Sequence, residues 1–203
     1  DAVGRIPSVV LGGRDITHEW VDVVAQDDLA GSTAAMDHLG GLGHRRIHHV
    51  AGALGRGFAL RREGYETWMR AHRLARQMRV QVDDSTEAGG YDAARRLLDL
   101  PADRRPTAIL AGCDAAAVGV LAAVRDAGLS VPEQVSVMGY DGTTLGAAAH
   151  IRLSTVDTHV EQMGRVAAQR LVARIADPRR PAEHTLLVPQ VLPRDTTAPP
   201  PAH

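Results

Sequence analysis

No lysine occurs in the 203 residues, so every one of the 23 cationic side chains is an arginine. Cationic charge does not exceed anionic charge: the formal net charge is −1. Nucleic-acid-binding domains ordinarily carry a basic excess, and this balance argues against one here. A single cysteine, Cys113, excludes an internal disulfide and suits a reducing compartment. No apolar run approaches the roughly 20 residues that span a bilayer, and no signal peptide is recognisable. Phosphate-loop, dinucleotide-loop and nucleophile-elbow patterns are missing too, and no nucleophile is paired with a base, which leaves no support for an enzyme. Aromatics are scarce, with Phe58 the one phenylalanine.

Hydrophobic residues make up 44% of the chain, enough for burial to drive folding. Short β-rich runs stand at Ser8–Leu11, Val21–Val24, Ile47–Val50, Arg79–Val82, Ala108–Ala111, Val135–Gly139, Ser154–Val156 and Leu186–Val188. Between them lie stretches with apolar residues at helical spacing, such as Tyr65, Trp68, Met69 and His72, or Val118, Leu121 and Val124. Strands alternating with helices predict an α/β fold, a doubly wound parallel sheet covered on both faces.

Such sheets bind ligands outside the carboxyl ends of their strands. Four loops are expected to converge there: AGALGRGFALR, DDSTEAGG, Gly112-Cys113-Asp114 and Tyr140-Asp141-Gly142. Arg61 offers a fork of donors suited to vicinal hydroxyls, carboxylates or phosphates. Asp141 is an acceptor for hydroxyl hydrogens. Plainer readings stand beside these. Arg61 also fits an ordinary ion pair, Asp141 a turn residue or helix cap, Asp114 a helix N-cap, and Cys113 a small buried residue. The basic, histidine-rich stretch LGHRRIHHVAG reads as a structural joint. His48 and His49 are consecutive in a strand and point to opposite faces, which argues against a shared metal. His44, Arg45 and Arg46 are expected to form a polar turn after Gly43.

The ordered set GHRRI, RREGY, CDAAAVGVL and VPEQVSVMGYD, with PSVVLGGR before it and LLVPQVLPRDTT after it, resembles the effector-binding core of LacI/GalR-type transcriptional regulators. The resemblance implies a periplasmic-binding-protein-like type I fold of two lobes joined by crossing strands, with a sugar or related small molecule as effector and no cofactor or metal. It implies a cytoplasmic homodimer that reaches operator DNA only through a headpiece, with no membrane partner. The headpiece and the first three βα units are expected upstream of residue 1. Residues 6–27 and 157–178 are then a remnant of the amino-terminal lobe. Residues 28–156 and 184–195 form the carboxy-terminal lobe, and 196–203 a disordered tail.

By motif, Arg61 is the effector-gripping arginine and Asp141 the acid for effector hydroxyls. Cys113, Ser85, Gly57 and Gly12 stand at further ligand-facing positions, where the family often has asparagine, an aromatic, a small hydroxyl residue and an acid. With no aromatic at Ser85, stacking on the ligand is expected from Phe58, Trp20, Tyr140 or the part upstream. Arg61→Ala is expected to abolish effector binding and leave the fold intact. An exported solute-binding protein of the same fold is the alternative.

Overall fold

A computed structural model describes residues 6–12 and 20–201. In chain order the elements are β1 (Ser8–Leu11), β2 (Val21–Gln26), α1 (Asp28–Gly41), β3 (Ile47–Gly52) and α2 (Arg56–Ala71). After a 3-10 turn at Ala75–Gln77 come β4 (Val80–Asp83), α3 (Glu87–Leu98), β5 (Ala108–Ala111), α4 (Asp114–Asp126), β6 (Ser136–Met138) and the one-turn α5 (Thr144–Ala147). The chain ends with β7 (Thr155–Asp157), α6 (Val160–Ala176), β8 (His184–Leu187) and β9 (Gln190–Leu192).

Two parallel sheets organise the molecule. One has the order β1-β2-β8, the other β4-β3-β5-β6, and a short antiparallel pair, β7 with β9, runs beside them. In the larger sheet alternate residues serve opposite faces. Val50, Ile109 and Val137 pack against α3 and α4, while Ile47, Leu110 and Met138 pack against α1 and α2. Both faces are therefore covered, which explains why these strands read as near-continuous apolar runs. The smaller sheet has a much thinner core, in which Val24, Met163 and Ala167 are buried. A buried ion pair ties its β2 to α6: Arg174 Nε and Nη2 donate to the two carboxylate oxygens of Asp22 at 2.8 and 2.9 Å.

Three readings of the sequence are corrected here. First, His184–Leu187 does not belong with the carboxy-terminal lobe. It pairs parallel with β2, extending the first sheet. The run was legible as a strand, but nothing local to it names its neighbour. Second, the tail is ordered as far as it is described, with residues 202–203 lying outside the described set. Val137 N donates to Thr196 O at 2.7 Å, and Thr196 Oγ1 donates back to Val137 O at 2.7 Å. The segment thus lies along the free edge of β6. Proline is tolerated at such an edge, while Thr196 and Ala198 supply the hydrogen bonds. Third, the polar turn expected of His44, Arg45 and Arg46 does not hold for His44. This residue is fully buried, with Nδ1 2.9 Å from Thr107 Oγ1 and Nε2 2.8 Å from the Ala198 carbonyl, so it pins the tail. The left-handed Gly43 (φ 103°) turns the chain so that the ring points inward.

Candidate functional site

The site follows from strand order. From β3 the chain moves outward to β4, then returns past β3 to β5 on its other side. Loops leaving β3 and β5 therefore part in opposite directions, and a crevice opens at their carboxyl ends. Arg61, on the helix that follows β3, spans this crevice. Its Nη1 donates to the carbonyl of Gly112, just past β5, at 2.6 Å. The same nitrogen donates to Asp141 Oδ1 at 3.0 Å, and Nε donates to Asp28 Oδ1 at 2.8 Å.

Packing fixes the guanidinium as firmly as its hydrogen bonds do. Its plane lies over the Tyr140 ring, 3.8 Å from the centroid, and 5.1 Å from the centroid of Phe58. Tyr140 is in turn pressed against α1, where a Cβ at Gly31 would stand 2.1 Å from its hydroxyl. Burial disfavours the Arg61 cation, but Asp141 and Asp28 outweigh it and hold its pKa above the ordinary value. Burial pushes the Asp141 carboxyl up to about 6, a rise that Arg61 restrains and Asp114 reinforces.

Beside Arg61 lies a cavity of about 470 Å³, bounded by Leu11, Gly12 and Gln26 from the smaller sheet and by Asp28 and 54–58 from the larger lobe. The carboxyl ends of both sheets thus face one space. Gly12 lines it with a left-handed φ of 92°. Gly57 and Phe58 line it from the start of α2. A Cβ at Gly57 would stand 2.8 Å from Asp28 Oδ2, so glycine is what lets α2 approach this carboxylate.

Ser85 and Cys113 are not among the residues that bound this cavity; Phe58 packs against the core cluster that holds Cys113. A Cβ on Gly52 would meet both the Phe58 ring and Ser85 Oγ at 2.5 Å. Cys113 is buried, its thiol donates to Ser85 O at 3.5 Å, and burial raises its pKa above the usual thiol value. The four loops expected to converge do so: Arg61 bonds the Gly112 carbonyl and Asp141, and the Cys113 thiol reaches Ser85 O.

Asp28 was overlooked in the sequence, where it reads as a first-turn acid of α1. The N-cap is Asp27, whose side chain accepts from Ala30 N. Asp28 instead turns into the site, 1% exposed, and its Oδ2 has no hydrogen-bond partner among the described residues. The doublet of acids before a helix was the available signal. Asp114 is likewise no N-cap. Its carboxylate accepts from Thr143 N, Thr143 Oγ1 and Thr155 Oγ1, bracing the Asp141 loop from behind. Among the described residues no three His, Cys, Asp or Glu side chains are grouped to hold a metal ion, and no helix is long and apolar enough to cross a membrane.

Comparison with known proteins settles the family. The periplasmic binding protein-like domain matches residues 36–197. A solved LacI transcriptional regulator from a Rhodococcus species superposes with a TM-score of 0.90 at 35% identity, over 98% of this chain and 72% of that one. The chain belongs to the LacI family, with a periplasmic-binding-protein-like fold. A LacI-family regulator from Enterococcus faecium, solved with bound ribose, matches at a TM-score of 0.84 and 27% identity, over 94% of this chain and 70% of that one. Among curated relatives, the probable repressor ExuR of Bacillus subtilis is 32% identical over 95% of this chain, and the ribose operon repressor of Escherichia coli 34% over 85%. The LacI-family chain spans 57% and 52% of the lengths of these two relatives.

Proposed function

We propose that this chain is the effector-sensing core of a LacI-type transcriptional regulator, and that Arg61, Asp141, Phe58, Gly57 and Gly12 receive a sugar or related small molecule between the two sheets, with Ser85 and Cys113 supporting them. The observation that carries this reading is the Arg61 junction at the switch point of the larger sheet, beside a cavity walled by both sheets. Effector bound there touches both lobes, so closing one on the other is favoured by whatever contacts exist only when closed. The named repressors among its relatives and the ribose-bound neighbour support the same reading. In the whole protein this core acts as a cytoplasmic homodimer and meets operator DNA through a separate headpiece.

Calorimetric titration with a panel of sugars and nucleosides tests it. One charge-assisted hydrogen bond contributes about 1.5–3 kcal/mol, and two or three with burial of the ligand give about micromolar affinity. Phe58→Ala, which removes a wall of the cavity, is expected to weaken the bound ligand at least about tenfold, in line with loss of a well-buried aromatic contact. Absence of binding across the panel overturns the reading.

A further inference from the structure

We infer that this site admits ligands with adjacent uncharged hydroxyls and rejects their carboxylated or phosphorylated counterparts, and that Asp28 sets this choice by cancelling the charge of Arg61. The inference rests on the effector-binding reading above and specifies its ligand class.

An arginine in a cleft is ordinarily a receptor for anions, because its planar fork matches a carboxylate or phosphate. Arg61 is already engaged as such. Nε is taken by Asp28, and Nη1 by Asp141 and the Gly112 carbonyl. Of the three Arg61 nitrogens only Nη2 makes no hydrogen bond to a described residue. One cation thus stands against two carboxylates, and the trio carries a net negative charge before any ligand arrives. Asp114 adds another negative charge behind the Asp141 loop, though its own oxygens are satisfied by Thr143 and Thr155.

The groups left over make the same point. Asp28 Oδ2 is buried on the cavity wall with no donor among the described residues, and it can only accept. Asp141 is partly exposed and uses one carboxylate oxygen for Arg61. The Arg61–Asp28–Asp141 trio therefore offers one free donor nitrogen and several acceptor oxygens, with Gln26 and Arg56 also on the cavity wall. A hydroxyl donates and accepts at once, so a diol can take a hydrogen bond from Nη2 and give one to Asp141. A carboxylate or phosphate can only accept from Nη2, and it brings its charge against two like charges in a partly desolvated crevice. Like-charge contacts of this kind are how a binding surface refuses a wrong partner.

The test is calorimetric titration of the chain with D-ribose, D-glucose and D-galactose, each beside its charged counterpart: ribose 5-phosphate, glucuronate and galacturonate. The tightest-bound neutral sugar is expected to exceed its counterpart by at least about tenfold, the discrimination typical of an introduced repulsion. Asp28→Asn keeps the shape and removes one negative charge. It is expected to narrow that ratio at least about fivefold, with the anion gaining affinity. A purely structural role for Asp28 would weaken both ligands in parallel, and that outcome overturns its part in the choice. Should Asp28→Asn fail to fold by circular dichroism, the native chain decides through salt. Added salt screens repulsion and must shrink the anion's deficit, and a deficit indifferent to salt overturns the inference. An anion bound as tightly as its neutral counterpart also overturns it. Binding of none of the six ligands would instead sink the effector-binding reading itself.

Discussion

His48 and His49 show how far a residue's environment can depart from its composition. Both rings are buried in β3 and both have pKa values pushed down by burial to about 4. His49 Nδ1 donates to the Leu110 carbonyl at 2.8 Å, which fixes the neutral tautomer and leaves Nε2 unprotonated and without a partner among the described residues. In the unfolded chain these rings titrate near 6.5. Between about pH 4 and 6.5 the unfolded state therefore binds more protons, so stability rises with pH there and is lost as pH falls. The shift is worth about 3 kcal/mol per ring at full effect. Urea denaturation from pH 4 to 7.5 should show this loss, and His48→Gln or His49→Gln should flatten it. Asp141 works in the opposite sense over pH 4 to 6, because its folded pKa lies above the ordinary value. Asp141→Asn should therefore steepen the acid loss. Arg61 carries the second prediction. The expectation that Arg61→Ala spares the fold does not survive its geometry, since removal strands the buried Asp28 carboxylate beside it. The variant should lose about 3–5 kcal/mol of stability, as for other broken buried pairs, as well as effector binding. A denaturant midpoint equal to that of the native chain would refute this. Arg61 was legible in the sequence because a cation follows a Gly-rich loop after a strand. Asp28 was not, because its role depends on a helix 30 residues away that lacks a side chain at Gly57.

Among elements, α3 and α4 approach more closely than side chains ordinarily permit. A Cβ on Gly119 would stand 1.9 Å from the Glu87 carbonyl oxygen, and one on Gly90 would stand 2.2 Å from that of Ala116. These contacts are with backbone, which cannot swing aside. Gly119→Ala and Gly90→Ala must each push the helices apart, at a cost of about 1–3 kcal/mol or more from overpacking. The loss of helix-to-coil entropy that alanine brings acts in the opposite direction but is worth only about 1 kcal/mol. Thermal unfolding checks the sign: a raised midpoint for either variant would contradict the packing described. The helices themselves were readable from apolar spacing, since Ala94, Leu97 and Leu98 recur as expected for a buried face. Strand neighbours were not readable to the same degree. β9 is three residues whose extended form comes from pairing with β7, and the 196–200 segment looks disordered by its prolines until the free edge of β6 is present to receive it.

At the scale of the whole molecule the two sheets are unequally buried. The larger one is sandwiched between helix pairs, with Val50, Ile109 and Val137 on one side and Ile47, Leu110 and Met138 on the other, all close to fully buried. Around the smaller sheet, Val172 and Ile175 of α6 and Leu186 of β8 are more than half exposed. Local stability follows buried apolar contact, so the two sheets should not open together. Amide hydrogen exchange should find β3 and β5 exchanging only by global unfolding, and β1, β2 and α6 exchanging by a cheaper, partial opening. The Asp22–Arg174 pair is a buried polar tie in the weaker part, and its burial means that Asp22→Asn leaves Arg174 a charge without its partner. That variant should speed exchange in β2 and α6 while leaving β3 and β5 protected. Equal acceleration in both sheets would show that the molecule unfolds as one cooperative unit. The distinction bears on sensing. A cavity walled by one firm sheet and one loosely held sheet gives the ligand a second lobe that it can order on binding. Effector at saturating concentration should then slow exchange in β1 and β2, whose carboxyl ends bound the cavity, far more than in β3.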